Sequence, residues 1–311
     1  HPVGARQVQS LVVGPVARRR GGKPGRPVKL GEAELVLGDS FRWMAAREEA
    51  SVHSIVSDPP FAVREFREKK WTEGTGGAWR SAEKVGGKAR RPAPRFSDLT
   101  AKEKEVVREW FAEFATLAMK VTVPGAHVIL ACTPLLKHLV SSPIIGAGFE
   151  PRGEVIRLVM TRRGGDRPKG SEAEFRDVTV LPRSCYEPWL VFRKPLEGKV
   201  AENLRRWGTG ALRRESDARP FCDVIRSSRA SEAERSISGH PSLKPQRFMR
   251  QVVRASLPLG RGVVLDPFMG SGSTLAAASS LGYHSVGVEI DEESYEDAVR
   301  AVPKLAALRA A

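Results

Sequence analysis

The sequence predicts an α/β fold in which helices cover both faces of a mostly parallel, twisted sheet. Short apolar stretches typical of buried strands alternate with helical patterns along much of the chain. Near the carboxyl end, the strand 263–265 runs through a glycine-rich turn into an alanine-rich helix, 275–281, and a strand at 285–290 follows. This order of strand, turn and helix is the repeating unit of parallel sheets. At 311 residues, the chain can bury a full core, as one large domain or two small ones.

The other elements follow from local patterns, in chain order. Strands are predicted at 35–37, 52–57, 126–132, 154–161 and 185–193, the last two as an antiparallel pair that closes the sheet. Helices are predicted at 41–49, 101–121, 246–257 and 292–308, and residues 142–148 are predicted as a turn region. Thr100 and Glu103 form a capping box before the second helix. His127 falls on a strand, where a core histidine is favoured over a catalytic one.

The composition indicates a nucleic-acid partner. The formal net charge is +15 and the pI is about 10.2, which favours a polyanion. A membrane surface is disfavoured because no strongly amphipathic basic helix stands out. No apolar run reaches about 18 residues and no signal peptide is visible, so we expect a cytoplasmic protein. Cys132, Cys185 and Cys222 match neither a disulfide framework nor a zinc site, and we expect buried thiols.

The glycine-rich turn is typical of a nucleoside site. Gly270 and Gly272 let the backbone turn tightly beside a ligand, and Ser273 and Thr274 open the following helix. Glu289 on the next strand can accept from two ribose hydroxyls. A lone Gly-x-Gly would instead favour a turn that uses glycine for packing only. The flanking strand, helix and acid favour the nucleoside site.

The turn does not match either common phosphate-binding pattern. Leu275 stands where a dinucleotide site needs a third glycine, and Gly272 stands where a P-loop needs lysine. Asp266 at the strand end disfavours an anionic group and favours a cationic or amine-bearing ligand. S-adenosylmethionine, which carries an ammonium and a sulfonium, fits this loop.

Two motifs together resemble those of the DNA amino-methyltransferases. One is Asp266-Pro267-Phe268-Met269-Gly270-Ser271-Gly272-Ser273-Thr274, and the other is Ser57-Asp58-Pro59-Pro60-Phe61 far upstream. Their order, catalytic motif first and cofactor motif last, resembles the permuted β group, and the likeness covers about residues 30 to 300. The resemblance implies a Rossmann-like, S-adenosylmethionine-dependent methyltransferase fold that acts on double-stranded DNA. It also admits a homodimer and a cognate restriction enzyme.

The resemblance and the local chemistry give a set of predicted site residues. The predicted catalytic residues are Asp58, Pro59, Pro60 and Phe61. The predicted cofactor-binding residues are Asp39, Asp58, His240, Ser242, Lys244, Asp266, Pro267, Phe268, Gly270, Ser271, Gly272, Ser273, Thr274 and Glu289, and no metal is expected. By resemblance, Asp39 accepts from the cofactor's adenine amino group, although it can also cap the following helix. Residues 240–245 resemble a His-Pro-x-x-Lys-Pro element, in which Lys244 meets the cofactor carboxylate, whereas His240 can simply order the loop.

The upstream motif suits the gripping of an exocyclic amino group. Its two prolines fix φ and remove two backbone donors, so their segment leaves the sheet as a rigid tip with free carbonyls. Asp58 adds a carboxylate and Phe61 a stacking face for a base that has been flipped out of the duplex. The alternative is a turn with a capping Asp and a core Phe. Methyl transfer from the activated donor is then a direct displacement that rests on positioning and electrostatics.

The identity of the acceptor base depends on the first motif residue. Aspartate there is commoner in relatives that modify adenine N6, and serine in those that modify cytosine N4, so Asp58 favours a site-specific DNA adenine-N6 methyltransferase. Cytosine N4 is the alternative. Methyl transfer to RNA or to a protein amide, and a non-catalytic DNA-binding protein of the same fold, also remain open.

The predicted organisation has four parts. Residues 1–29 form a basic flexible arm whose Gly25-Arg26-Pro27 matches the core of an AT-hook, although a solvated tail is favoured. Residues 30–195 form the catalytic half, with a mobile basic loop at about 62–95 that holds ten Lys/Arg. By resemblance, residues 196–238 form a target-recognition region, in which Arg205, Arg206, Arg213 and Arg214 are candidate readers of guanine, although a solvated helix face explains them equally well. Residues 239–311 form the cofactor half.

Overall fold

A computed structural model describes residues 25–60, 99–159, 165, 167–240 and 242–309. Its strands are β1 (Val28–Leu30), β2 (Ala33–Leu37), β3 (Val52–Ser57), β4 (Thr122–Ala131), β5 (Glu150–Leu158), β6 (Tyr186–Arg193), β7 (Val224–Arg226), β8 (Val263–Asp266) and β9 (His284–Glu289). Its helices are α1 (Ser40–Ala46), α2 (Ala101–Val121), α3 (Lys137–Gly146), α4 (Val200–Trp207), α5 (Glu232–Ile237), α6 (Gln246–Ser256), α7 (Ser273–Ser280) and α8 (Glu292–Ala307).

One sheet holds the strands of the described residues in the order β1-β2-β9-β8-β3-β4-β6-β5-β7. The five strands from β2 to β4 in that order run parallel, as four consecutive parallel pairs. The predicted fold class, a mostly parallel α/β sheet, is therefore confirmed. The predicted antiparallel pair is also present as β5 and β6. It does not close the sheet, because β7 adds to β5 as a further parallel strand.

Helices cover both faces of the sheet, as the sequence predicts. On one face, α2 contributes Phe111 and Phe114 to a buried cluster that also takes side chains from α3. On the other face, α6 contributes Phe248 and Val252 to a cluster with Trp189 of β6. Strand β4 is buried along its whole length, which is typical of a central parallel strand covered on both faces.

Helix α3 corrects one prediction. Residues 142–148 were expected to form a turn because Pro and Gly punctuate them, but most of this stretch belongs to α3. Leu139, Val140 and Ile144 are buried at helical spacing, so tertiary packing outweighs the helix-breaking tendency of Pro143. The capping box at Thr100 and α2 itself are present as predicted.

The burial of the cysteines differs from the expectation. The three cysteines are free thiols, but only Cys132 is buried and Cys222 is exposed, so the expectation of three buried thiols is wrong.

The arm up to residue 24, Phe61 and the basic loop 62–95 lie outside the described residues. The amide of Gly25 donates to the carbonyl of Leu37 at 3.0 Å, so the end of the predicted arm lies against β2. Within the described ranges, no helix is long and apolar enough to span a bilayer. The predicted domain bounds stay a prediction.

Candidate functional site

Four acids predicted for the site follow neighbouring parallel strands. Asp39 comes after β2, Glu289 ends β9, Asp266 ends β8 and Asp58 comes after β3. These strands are adjacent in the sheet in that order, so their carboxyl ends meet along one border, called here the site edge. Chain order reverses here, because β8 and β9 insert between β2 and β3. Such a switch point opens a crevice for a ligand beyond the strand ends.

A direct hydrogen bond joins the ends of β3 and β8. The hydroxyl of Ser57 donates to Oδ1 of Asp266 at 2.6 Å, and the amide of Phe268 donates to the same oxygen at 3.2 Å. The side chain of Thr274 is a further donor to this carboxylate. Asp266 is 3% exposed, and burial raises its pKa to about 6 despite these hydrogen bonds. The site therefore holds a buried carboxylate that titrates near neutrality.

The glycine-rich loop is closed by Glu289. One carboxylate oxygen of Glu289 accepts from the amide of Gly270 and the other accepts from the amide of Asp291, each at 2.9 Å. Burial raises the pKa of Glu289 as well. Gly272 has φ of +78° and caps α7, and a Cβ there would overlap Val302. The loop thus needs glycine at that position for conformation and for space.

The segment before α6 packs against the glycine-rich loop. A Cβ on Gly270 would lie 3.1 Å from Cε1 of His240, so this ring covers the loop. His240 Nδ1 accepts from the amide of Ser242 at 3.2 Å, which orders the turn as the alternative interpretation of His240 expects. The amide of Lys244 donates to Oγ of Ser273 at 3.2 Å. These contacts bring residues of the predicted His-Pro-x-x-Lys-Pro element to the start of α7. Pro241 of that element lies outside the described residues.

Lys244 makes a contact that the sequence did not predict. Its ammonium forms an ion pair with Oδ2 of Asp58, the carboxylate of the predicted catalytic tip. The side chains are only 7% and 15% exposed. The expected contact between Lys244 and a cofactor carboxylate stays a prediction. Burial raises the pKa of Asp58, with Lys244 acting in the opposite direction.

Two charged residues that the sequence did not indicate complete this buried cluster. Arg157 on β5 lies 3.5 Å from Oε2 of Glu187 on β6, and the indole of Trp189 donates to Oε1 of Glu187 at 2.8 Å. Burial alone would raise the pKa of Glu187, but Lys244 and Arg157 hold it below its usual range. No local signal in the sequence singled out either residue, because β5 carries three further charged residues and β6 carries Arg193.

The remaining predicted site residues have structural contacts as well. Oδ1 of Asp39 accepts from the amides of Phe41 and Arg42 at 2.9 and 3.1 Å, so Asp39 caps α1. The partly buried ring of Phe268 packs against the core, with its centroid 5.1 Å from that of Trp110. Pro59 is buried beside the tip. The cofactor and catalytic roles of all these residues stay predictions.

Four arginines expected to read bases lie away from the site edge: Arg205, Arg206, Arg213 and Arg214. On α4, Asn203 donates to the carbonyl of Pro124 at 3.0 Å, near the amino end of β4. Arg213 donates to the hydroxyl of Tyr283 at 2.7 Å, just before β9 begins. Strand β4 has 10 residues, so on the order of 30 Å separates its two ends. The structure thus does not bring these arginines to the catalytic tip.

Two further expectations concern histidine and metals. His127 is 3% exposed, and burial lowers its pKa to about 3, so it is a neutral core residue as predicted. Its Nδ1 has no hydrogen-bond partner within the described part of the chain. The same residues contain no group of His, Cys, Asp or Glu that could hold a metal ion.

Comparisons with known proteins agree on one family. A family model described as DNA methylase, for the N6/N4 group, matches residues 52–300. The type II methyltransferase M.HindIII of Haemophilus influenzae is 24% identical over an alignment of 290 residues, which covers 84% of this chain and 92% of that protein. Among solved structures, the cytosine-N4-specific PvuII DNA methyltransferase has a TM-score of 0.55 at 15% identity, and the match covers 89% of this chain and 86% of that one. The M1.HpyAVI–SAM complex has a TM-score of 0.54 at 16% identity, with 87% and 98% covered. At these identities, the solved structures show a shared fold.

Proposed function

The chain belongs to the DNA N6-adenine/N4-cytosine methyltransferase family, and on that premise we propose that it methylates N6 of adenine in double-stranded DNA at a specific sequence. The hydrogen bond from Ser57 to Asp266 carries the proposal. It joins the Asp58 tip to the glycine-rich loop, so a methyl donor and an acceptor base can meet at the site edge. Neither motif alone would support transfer.

The proposed cofactor is S-adenosylmethionine, which supplies an activated methyl group when bound. The residues of the site edge fit it. Asp266 offers a buried carboxylate for a cationic ligand, and Glu289 offers two acceptor oxygens beside Gly270 for ribose hydroxyls. Because Glu289 now accepts from backbone amides, it is already oriented toward the loop. We propose that His240 and Ser273 complete the walls of this site.

The proposed role of the Asp58 tip is to hold the target amino group. The lone pair of an exocyclic amine is delocalised into its ring, so the nitrogen is a poor nucleophile. Oδ1 of Asp58 and the Pro59 carbonyl would accept its two hydrogens and favour a pyramidal nitrogen whose lone pair points at the methyl donor. The ion pair with Lys244 engages Oδ2, which leaves Oδ1 for the base. A paired base cannot reach a carboxylate that is 15% exposed, so the base must be flipped out of the duplex.

The choice of adenine rests on Asp58 at the first position of the tip. A carboxylate that is kept in place by a buried lysine is a strong acceptor for an amino hydrogen. By family resemblance, aspartate at this position is commoner in relatives that modify adenine than in those that modify cytosine. Cytosine N4 has the same donor pair, so it is the outcome that a test must exclude.

The DNA would approach the site edge. The chain leaves β5 and enters β6 there, and the described residues between them include Arg167, Lys169, Arg176 and Arg183. These cations, together with the net charge of +15, support a duplex partner. A homodimer and a cognate restriction enzyme are further proposals from the family resemblance, and a cytoplasmic location is a further proposal from the sequence.

The experiment supplies the purified chain with methyl-labelled S-adenosylmethionine and equal amounts of duplex DNA, structured RNA and protein. The DNA is then digested to nucleosides and separated by chromatography. We expect label in DNA alone, as N6-methyldeoxyadenosine. Label in N4-methyldeoxycytidine would move the proposal to the other acceptor, and label in RNA, in protein or nowhere would overturn it.

A further inference from the structure

Four charged side chains form a buried cluster behind the catalytic tip. Asp58, Lys244, Glu187 and Arg157 have side-chain exposures of 15%, 7%, 26% and 8%. Two carry negative and two carry positive charge, so the cluster is neutral as a whole. They come from four separate places in the chain: the end of β3, the segment before α6, β6 and β5.

Each member of the cluster faces opposite charges. Lys244 contacts Asp58 directly and is also attracted by Glu187, whereas Glu187 is attracted by both Lys244 and Arg157. Glu187 is itself fixed, because the indole of Trp189 donates to its other carboxylate oxygen at 2.8 Å. Lys244 is therefore attracted from the β6 side as well as by Asp58.

Arg157 extends the cluster toward the end of β7. Its Nε donates to Oγ of Ser227 at 3.1 Å and its Nη2 donates to the carbonyl of Ser228 at 3.0 Å. The guanidinium also lies 5.5 Å from the ring centroid of Phe248. The segment after β7 lies in the region 196–238, which the sequence predicts for target recognition. Three direct contacts, together with the electrostatic attraction between Glu187 and Lys244, thus link this segment to the Asp58 carboxylate.

Such a cluster is costly to bury, and packed apolar side chains often stabilise a fold as well or better. Stability alone is therefore a weak reason for four charges at this place. Each charge acts on the one group that is proposed to hold the base, which is a more specific explanation.

We propose that Glu187 and Arg157 are positioning residues that hold Lys244 against Asp58 and tie the Asp58 carboxylate to the segment after β7. The inference deepens the proposed function and rests on it. Glu187 keeps Lys244 from moving off Asp58, and Arg157 keeps Glu187 in place. Movement of the segment after β7 when DNA binds would then reach the carboxylate that holds the target base.

Glu187 and Arg157 shift the pKa of Asp58 in opposite directions. Burial is the largest influence and raises the pKa of Asp58, Glu187 raises it further, and Lys244 and Arg157 lower it. Within the described residues, the charge of Asp58 also raises the pKa values of Asp266 and Cys132. Neutralising Glu187 should lower the pKa of Asp58, and neutralising Arg157 should raise it.

The test compares Glu187→Gln and Arg157→Gln with two exposed controls, Glu105→Gln and Arg108→Gln, from an ion pair on α2. We expect kcat on duplex DNA to fall about 10-fold to 100-fold in the first two, because the acceptor is misplaced, while S-adenosylmethionine affinity is kept. The acid limb of the kcat profile should move to lower pH in Glu187→Gln and to higher pH in Arg157→Gln. Glu187→Asp keeps the charge, so its acid limb should stay where the unmodified protein has it.

Shifts of the acid limb in opposite directions in Glu187→Gln and Arg157→Gln would support the positioning role. Loss of packing alone would leave the acid limb of both variants where the unmodified protein has it. If Arg157→Gln does not unfold cooperatively on heating, the test compares Glu187→Gln with Glu187→Asp instead. Unchanged kcat and unchanged acid limbs in variants of an active protein would overturn this inference and leave the proposed function standing. Absence of any methyl transfer by the unmodified protein would overturn both.

Discussion

The hydroxyl of Ser57 donates a 2.6 Å hydrogen bond to Oδ1 of Asp266, although 209 residues separate them in the chain. The first residue ends β3 and the second ends β8, and these strands are parallel neighbours. Both side chains are buried, so the bond is shielded from solvent. It joins the predicted catalytic tip to the predicted cofactor loop, and changes on either side test the same site.

The first prediction concerns the Asp58 carboxylate. Asp58→Asn keeps the shape of the side chain but removes the charge. We expect methyl transfer to fall about 100-fold or more, because one preorganised group at a reacting centre contributes about that much. Cofactor affinity should stay largely unchanged. Rates from labelled S-adenosylmethionine and affinities from calorimetry separate the two.

This variant also tests the ion pair with Lys244. Removal of one partner leaves the buried ammonium less compensated, so the free energy of unfolding should fall by a few kcal/mol. Glu105→Gln, on an exposed ion pair, is the control and should change neither rate nor stability. An Asn variant as active as the unmodified protein would remove the mechanism.

The second prediction concerns the pH dependence of cofactor binding. The pKa of Asp266 is raised to about 6 by burial, so at lower pH the carboxyl is largely neutral. Affinity for the cationic cofactor should fall about tenfold per pH unit below that value. Asp266→Asn should bind about 10-fold to 100-fold more weakly and lose this dependence. Calorimetry between pH 5 and pH 7 measures both, and an equal affinity at the two ends would contradict the role.

The raised pKa of Asp266 also makes the stability of the cofactor-free protein depend on pH. Burial raises its folded-state pKa to about 6 from the ordinary aspartate value of 3.8, so the folded protein binds this proton more tightly than the unfolded chain. The contribution of Asp266 to stability is thus present below about pH 4 and is lost as the pH rises to about 6. The loss is about 3 kcal/mol. Asp266→Asn should therefore gain stability relative to the unmodified protein across that window, as urea unfolding would show.

The third prediction concerns Glu289 and the ribose. Glu289→Gln should weaken S-adenosylmethionine binding about tenfold, because one of two acceptor oxygens becomes a donor. The 2′-deoxy analogue of the cofactor provides the control. Its affinity should be low for the unmodified protein and hardly fall further in Glu289→Gln. Equal losses for both ligands would show that Glu289 acts only by ordering the loop through Gly270.

The fourth prediction concerns the conformation of the glycine-rich loop. Gly272 and Gly31 have φ of +78° and +60°, but a Cβ at Gly272 would overlap Val302 whereas Gly31 has no atom within 4 Å of that position. Both Ala variants carry the conformational cost, and only Gly272→Ala adds a clash. We expect Gly272→Ala to lower the free energy of unfolding by about 1–3 kcal/mol more than Gly31→Ala. Equal losses would show that the loop yields without strain.

Local patterns in the sequence predict much of the fold. Glycine turns, capping residues and apolar runs lie close together in the chain, so α2, β3, β8 and β9 are predicted to within a few residues. The acids at strand ends could be predicted to share one edge because parallel strands align their carboxyl ends. Helix α3 was missed because its stability comes from packing rather than from local preference.

The details of the candidate site depend on distant parts of the chain. Lys244 and Asp58 are 186 residues apart, and no local pattern pairs them. Glu187 and Arg157 lie on strands whose order in the sheet differs from their order in the sequence. The resemblance makes the arginines of α4 candidate readers of DNA bases, but their helix packs at the end of β4 that is opposite to the site edge. Such contacts follow from topology, which the sequence leaves open here.

The most direct measurement of the central claim is sequencing that reports modified bases on DNA from cells that express this protein. The account predicts N6-methyladenine at one recurring sequence, present with the unmodified chain and absent with Asp58→Asn. Modified cytosine at that sequence, or DNA without any new modification, would contradict it.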